Sequence, residues 1–255
     1  MKGQNRFISI LLKYLGNDII SEIDNYVLDL PNRKFNPLEN DTADTVNNFL
    51  SQLSSDELMI LRSYTGYQFK NINAHLRHNW NYEENGLLTP KIEQKYNDLS
   101  EKICTIAAKF PSLNTDFITY RGVDISAFKE YGIDTLYDLK DMQGKYLYEK
   151  GFTSTSTKRE NSFFNRTLEN GKNYNIEIQY LISKESSDGI LLAGQELSFS
   201  PGQNEYLINK DSLSRVINVS VNEELNQAQL TVALIPKKLW TMEEQKEDEN
   251  KQRTN

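Results

Sequence analysis

Three short segments of this chain carry residue types able to do chemistry together, and they follow one another in order. Tyr120-Arg121-Gly122 puts a guanidinium at the end of an apolar run, and Gly151-Phe152-Thr153-Ser154-Thr155-Ser156 closes another such run with hydroxyls. Gly202-Gln203-Asn204-Glu205 sets an amide two residues before a carboxylate, ahead of the apolar Tyr206-Leu207-Ile208. A guanidinium fork grips phosphate oxygens two at a time. A fixed carboxylate stabilises positive charge developing on a reacting carbon. A glutamine offers a donor and an acceptor without net charge. Each segment alone has an ordinary explanation: a surface charge, a turn, a chance spacing.

Helices come first and strands later, so the expected fold is α+β and not doubly wound. Phe7, Ile8, Leu11, Leu12 and Leu15 have the spacing of an amphipathic helix, so the start of the chain reads as that and not as a signal peptide. Ser54 with Glu57 forms a capping box that opens a helix, and Tyr67–His78 carries Phe69, Ile72 and Leu76 on one stripe. Thr89-Pro90 starts a long helix over Lys91–Lys109. After residue 115 the period shortens to two. Strands are expected at Asp116–Arg121, Tyr146–Phe152, Asn173–Ile182, Ile190–Phe199, Glu205–Ile208, Ser214–Val221 and Gln229–Ile235. The expected organisation is an N-terminal helical extension over 1–44, a catalytic domain over 45–240 and a charged, disordered tail over 241–255.

The 255 residues carry a net charge of −7 with both signs interspersed, so no basic stripe for nucleic acid is present and anionic membranes are poor partners. No apolar run is long enough to span a bilayer. Cys104 is the only cysteine and lies on the apolar stripe of the long helix, which excludes an internal disulfide and reads as a core thiol. His75 and His78 could place two metal ligands, but a third is lacking, so no metal is expected. No Gly-x-Gly-x-x-Gly follows a strand, so a dinucleotide would not be held in a Rossmann cleft.

In this order the three segments resemble the Arg, Ser-Thr-Ser and Gln/Glu-x-Glu pattern of bacterial ADP-ribosyltransferase exoenzymes. The resemblance extends to Tyr64-Thr65-Gly66 and Ile72-Asn73-Ala74-His75-Leu76-Arg77, and to Phe163 and Arg166 in the loop after the hydroxyl cluster. It implies a fold of two steeply packed sheets enclosing an NAD cleft flanked by the N-terminal helices. It also implies that NAD is consumed as a substrate, with no metal.

The residue roles follow from that resemblance. Arg121 and Gly122 would hold the NAD pyrophosphate, with Asn73 and Arg77 adding grip from one face of a helix. Thr155 and Ser156 would line the same pocket. Glu205 would stabilise the oxocarbenium-like ribose formed as nicotinamide leaves, comparable to glycoside cleavage, and Ser154 would fix its rotamer. Phe163 would close over nicotinamide and Arg166 would approach the phosphates. If the 203–205 segment is extended, Gln203 points to the same side as Glu205 and can place the acceptor. Gln-x-Glu sequences resemble the exoenzymes that modify an asparagine of Rho-type GTPases, whereas Glu-x-Glu relatives modify arginine. The implied protein is therefore a secreted toxin acting on a host protein in the host cytoplasm, with a separate translocation component open.

Two features depart from the Rho-modifying pattern: Ser200 stands where an aromatic residue is usual, with Phe199 one step earlier, and the chain is acidic. Asn73 and Arg77 can also be plain helix surface, Thr153 and Thr155 turn hydroxyls, and Phe163 with Phe164 core. Two other functions fit the same residues: an NAD glycohydrolase or arginine-specific transferase, and a non-catalytic binding module.

Overall fold

A computed structural model describes residues 3–38, 43–82, 86–167, 171, 173–192 and 204–241 of the chain. Helix α1 (Gly3–Asp29) runs as two pieces joined at Gly16, whose φ of 73° no helix interior adopts. A short extended pair, β1 (Asn36–Pro37), leads to α2 (Ala43–Ser51). Helix α3 (Ser55–Ser63) opens on the expected capping box: the Ser54 hydroxyl accepts from the Glu57 N–H while the Glu57 carboxylate accepts from the Ser54 N–H. A π-helical turn, Tyr64–Gln68, then feeds α4 (Phe69–Leu76) without a break. Helix α5 (Pro90–Ala107) is capped by Thr89, whose side chain accepts from the Ile92 N–H.

The strands are β2 (Phe117–Val123), β3 (Tyr146–Glu149), β4 (Thr153–Ser156), β5 (Ile176–Ile182), β6 (Gly189–Leu192), β7 (Glu205–Ile208), β8 (Ser212–Asn222) and β9 (Gln227–Leu234). They form one connected ladder in the order β3-β8-β9-β5-β2-β4-β7-β6, with β1 parallel to β2. The fold is α+β as expected, but in place of two separate sheets the described strands form one continuous ladder that narrows at one place. Between β2 and β4 the pairing narrows to a single couple, Tyr120 with Ser156. Among the described residues six strands, β1 included, lie on the β2 side of that junction and three on the β4 side.

The strand expected over Tyr146–Phe152 is observed only as β3, Tyr146–Glu149; the chain bends at Lys150–Gly151, and a separate strand, β4, begins at Thr153 in the other half of the ladder. A Cβ on Gly151 would sit 2.7 Å from Asn73 Oδ1 and 3.2 Å from Arg77 Nε, so α4 packs directly on the turn. The expected strand at Ile190–Phe199 is observed as β6; its remainder, like the 242–255 tail, lies outside the described residues.

Three apolar clusters hold the layers. The helices α2–α5 bury Phe49, Leu61, Tyr64, Ile72, Ile103 and Ile106 against Phe117, Phe152 and Tyr206. The 3-10 turns at Ile125–Tyr131 and Tyr137–Met142 cover β5, β8 and β9 through Phe128, Leu139 and Met142. Helix α1 packs Ile23, with Leu30 just beyond its end, on Leu213, Ala233, Ile235 and Trp240, and the Tyr26 hydroxyl donates to Ser183 Oγ at 2.8 Å. Among the described residues no helix is long and apolar enough to cross a membrane.

Candidate active site

The narrow junction of the ladder brings Arg121, Ser154 and Glu205 together. Arg121 is the fifth residue of β2, and its Nη1 donates to the Ser154 carbonyl on β4 at 3.4 Å. Ser154 and Ser156 are alternate residues of β4, and Ser156 pairs across the ladder with Glu205, the first residue of β7. The Ser154 hydroxyl donates to Glu205 Oε1. Glu205 is only 8% exposed. Burial raises its pKa above the ordinary glutamate value, while the Ser154 bond and the nearby Arg121 charge partly oppose the rise. A desolvated carboxylate beside a guanidinium suits a cation-like transition state.

Asn73 and Arg77 face the same place from α4, but the structure gives them protein partners. Asn73 is buried; its Oδ1 accepts from the Phe152 N–H at 2.9 Å and its Nδ2 donates to the Tyr64 hydroxyl at 3.2 Å. Arg77 grips Glu149 with Nε to Oε1 at 2.8 Å and Nη2 to Oε2 at 3.1 Å, and reaches the Phe152 carbonyl at 3.3 Å. These two side chains therefore bolt the Gly151–Phe152 turn, and with it the start of β4, to the helical layer. Sequence reasoning gave no role to Glu149 or to Tyr64. Nothing in the chain flags Glu149, whose partner lies 72 residues away. Tyr64 is fully buried on the π turn, where desolvation pushes its phenol well above its usual range and the charges of Glu205, Arg77 and Arg121 are felt.

The loop after β4 is held close to β2. The Gly122 N–H donates to the Ser162 carbonyl, and a Cβ on Gly122 would lie 2.6 Å from the Phe163 carbonyl carbon and 2.8 Å from Phe164 Cα. Only glycine permits that approach. Phe163 has a φ of 65°, and the Arg166 guanidinium stacks 4.9 Å from its ring centre. Phe163 and Phe164 are both half-buried and Arg166 is exposed.

The hydroxyls of Thr155 and Ser156 are engaged within the protein. Thr155 Oγ1 donates to the Tyr206 carbonyl at 2.8 Å, and Ser156 Oγ accepts from the Lys158 N–H at 3.1 Å. Gln203 lies outside the described residues, and with it the expectation that it shares one side of an extended segment with Glu205. Asn204 between them has a φ of 45°, in the left-handed region, and its carbonyl is fixed by the Thr157 N–H and hydroxyl.

A cavity of about 390 Å³ lies elsewhere, between the end of α5 and the 184–189 turn, and touches none of Arg121, Ser154 and Glu205. Among the described residues no three His, Cys, Asp or Glu side chains cluster as a metal site. His75 contacts Asn97 Oδ1 at 2.8 Å, and Cys104, whose thiol burial pushes up to about 11, donates to Asn209 Oδ1.

Solved structures of other proteins share this fold. C3stau2 from S. aureus, solved with NAD, superposes with a TM-score of 0.58 at 16% identity, covering 80% of this chain and 98% of its own. Plx2a, an ADP-ribosyltransferase toxin from Paenibacillus larvae, gives 0.54 at 23% identity, with 74% and 90% covered. C2-I, the enzymatic component of the C2-toxin from Clostridium botulinum, gives 0.58 at 19% identity, covering 78% of this chain and 47% of its own. No curated protein sequence matches. Residues 41–238 match the ADP-ribosyltransferase exoenzyme family. Because that match takes in both halves of the ladder and every residue of the junction, the chain belongs to the ADP-ribosyltransferase exoenzymes, enzymes that move ADP-ribose from NAD to a protein.

Proposed function

We propose that this enzyme cleaves NAD at the β2–β4–β7 junction and transfers ADP-ribose to an asparagine of a host Rho-type GTPase. The observation that carries the reading is the Ser154–Glu205 hydrogen bond, with Glu205 buried and Arg121 on the adjoining strand. Arg121 binds the pyrophosphate, and Gly122 lets the following loop come close enough for Phe163 and Arg166 to cover the nicotinamide and phosphate ends. Glu205, oriented by Ser154, stabilises the ribose cation as nicotinamide leaves. Thr155 and Ser156 hold the ladder beneath it. Asn73 and Arg77 act one step back, by fixing the turn that starts β4.

Gln203 places the acceptor. Its neutral carboxamide complements an asparagine better than a guanidinium, which favours the Rho-type acceptor over an arginine. The protein works as a toxin in the cytoplasm of a host cell, reached through secretion and, as the likeness to the enzymatic component C2-I suggests, with help from a separate translocation component.

The test is nicotinamide release from NAD by wild type, Glu205→Gln and Gln203→Ala, with and without a Rho-family GTPase. Loss of Glu205's charge should remove cleavage under both conditions. Loss of Gln203 should abolish transfer and spare hydrolysis. Modification of an arginine, read by mass spectrometry, would replace the asparagine assignment, and turnover to free ADP-ribose alone would make the enzyme a glycohydrolase. Wild-type cleavage by Glu205→Gln would overturn the catalytic assignment.

A further inference from the structure

Behind the strand that carries Arg121, on β5, sits a carboxylate with no exposure at all. Glu177 is fully buried, and it pairs across the ladder with Gly122, the residue on which the 159–164 loop lies. Both its oxygens are filled. Arg159 donates from Nε to Oε1 at 2.8 Å and from Nη2 to Oε2 at 2.9 Å. Gln179 and Gln229 donate to Oε2 at 3.1 and 2.7 Å from either side. An ion this deeply buried is costly unless every lone pair is met, and leaving it without its cation is costlier still. Arg159 is the partner drawn from outside the sheet: its side chain is 58% exposed, and it opens the short 3-10 turn that leads into Ser162 and Phe163.

We propose that Arg159 is a positioning residue, and that its bidentate bond to Glu177 fixes the pose of the Phe163–Arg166 loop over NAD. The loop is anchored at further points, one of them the Tyr174 N–H donating to the Arg166 carbonyl at 2.9 Å. Gly122 bonds Ser162, the Asn165 N–H donates to the Tyr174 carbonyl at 2.8 Å, and Gln227 Nε2 donates to Asn165 Oδ1 at 2.8 Å. Between these anchors Phe163 and Asn165 both hold positive φ, of 65° and 60°, conformations that a free loop of these residues would leave. The Arg159–Glu177 pair supplies the anchor on the side of β4, so the strained segment is clamped at both ends. Phe163 and Arg166, stacked on each other, then move as one unit. The pair touches no reacting atom: it acts through the loop, on binding and not on the chemical step.

This inference rests on the NAD-cleaving function proposed above. The experiment measures KM and kcat for nicotinamide release in Arg159→Ala, Arg159→Lys, Glu177→Gln, Phe163→Ala and the Arg159→Ala/Phe163→Ala pair, with thermal unfolding of each. Arg159→Ala should raise KM for NAD about tenfold, equivalent to roughly 1.4 kcal/mol of lost binding, with kcat within about twofold of wild type. Arg159→Lys, which keeps the charge but not the fork, should fall between, and it and Glu177→Gln carry the test if the alanine variant does not fold. The double variant should bind NAD no worse than Phe163→Ala alone, because both act through one loop. Full additivity, an equal loss in kcat, or an unchanged KM would overturn the clamp. If Phe163→Ala leaves KM unchanged while Glu205→Gln stops cleavage, the clamp falls and the enzyme reading stands. If Glu205→Gln cleaves NAD normally, both fall.

Discussion

Asn73→Ala should unfold markedly more easily than wild type, because this side chain bridges two buried groups that have no substitute partner in the described hydrogen bonds. Its carbonyl satisfies the Phe152 N–H at 2.9 Å and its amide meets the Tyr64 hydroxyl at 3.2 Å, and both neighbours are 1% exposed. Leaving a buried N–H unmet costs about 1–3 kcal/mol, and the weaker link to Tyr64 adds about 1 kcal/mol. The sum is about 3 kcal/mol, and for a chain of this size each kcal/mol moves Tm by about 2–4 °C, so the midpoint should fall by about 6–12 °C. Far-ultraviolet circular dichroism against temperature, with a urea titration to check that m is unchanged, measures it. Asn71→Ala is the control: its amide makes one half-buried bond to the Tyr96 hydroxyl at 3.1 Å and should cost about 1 kcal/mol. A midpoint within about 2 °C of wild type would refute the reasoning. An unchanged midpoint with a raised KM for NAD would instead make Asn73 a direct ligand.

Glu205→Gln should lose about 10²–10³-fold in kcat without losing stability at neutral pH. Burial raises the folded pKa, so the carboxyl favours folding below its unfolded value and ceases to do so as pH rises through the folded one. The variant should therefore melt at or above wild type at pH 7, with the difference closing as acid protonates wild-type Glu205; a variant clearly less stable at pH 7 would contradict this. NAD cleavage should fall on the acid side at a pH above that of an ordinary glutamate. Ser154→Ala should move that limb to higher pH, since the Ser154 bond opposes the rise, and a pH–rate profile of kcat/KM shows whether it does. Gly122→Ala should cost about 2 kcal/mol and weaken NAD binding, because backbone at 2.6 and 2.8 Å must yield to the new methyl; wild-type KM and Tm would mean that the loop lies further off.

What the chain disclosed in advance was local. The Ser54–Glu57 box, the Thr89-Pro90 start and the bounds of β7 each depend on neighbours within a few residues, and each is present. The sequence did not reveal the end of β3 ahead of Gly151, because the groups that hold the Gly151–Phe152 segment, Asn73 and Arg77, come from a distant helix. Periodicity could not show the left-handed Asn204 either, since two carbonyl bonds from Thr157 hold it there. Of the candidate site, Arg121, Ser154 and Glu205 were legible as ordered motifs. The ion pairs that brace it, Arg77–Glu149 and Arg159–Glu177, join residues 72 and 18 apart and leave no local signature.

The single couple at Tyr120 and Ser156 means that backbone bonding contributes little to the alignment of Arg121 with Glu205. That alignment is inherited from side chains, chiefly the edge-on contact of Phe117 with Tyr206 at 5.1 Å and the reach of Arg121 to the Ser154 carbonyl. Packing contacts are short-ranged, so modest thermal expansion loosens them while long ladders such as β8–β9 keep their register. The seam at the candidate site is thus the place where the ladder is joined by the fewest backbone pairs, and activity measured against temperature is expected to fall ahead of the circular-dichroism transition.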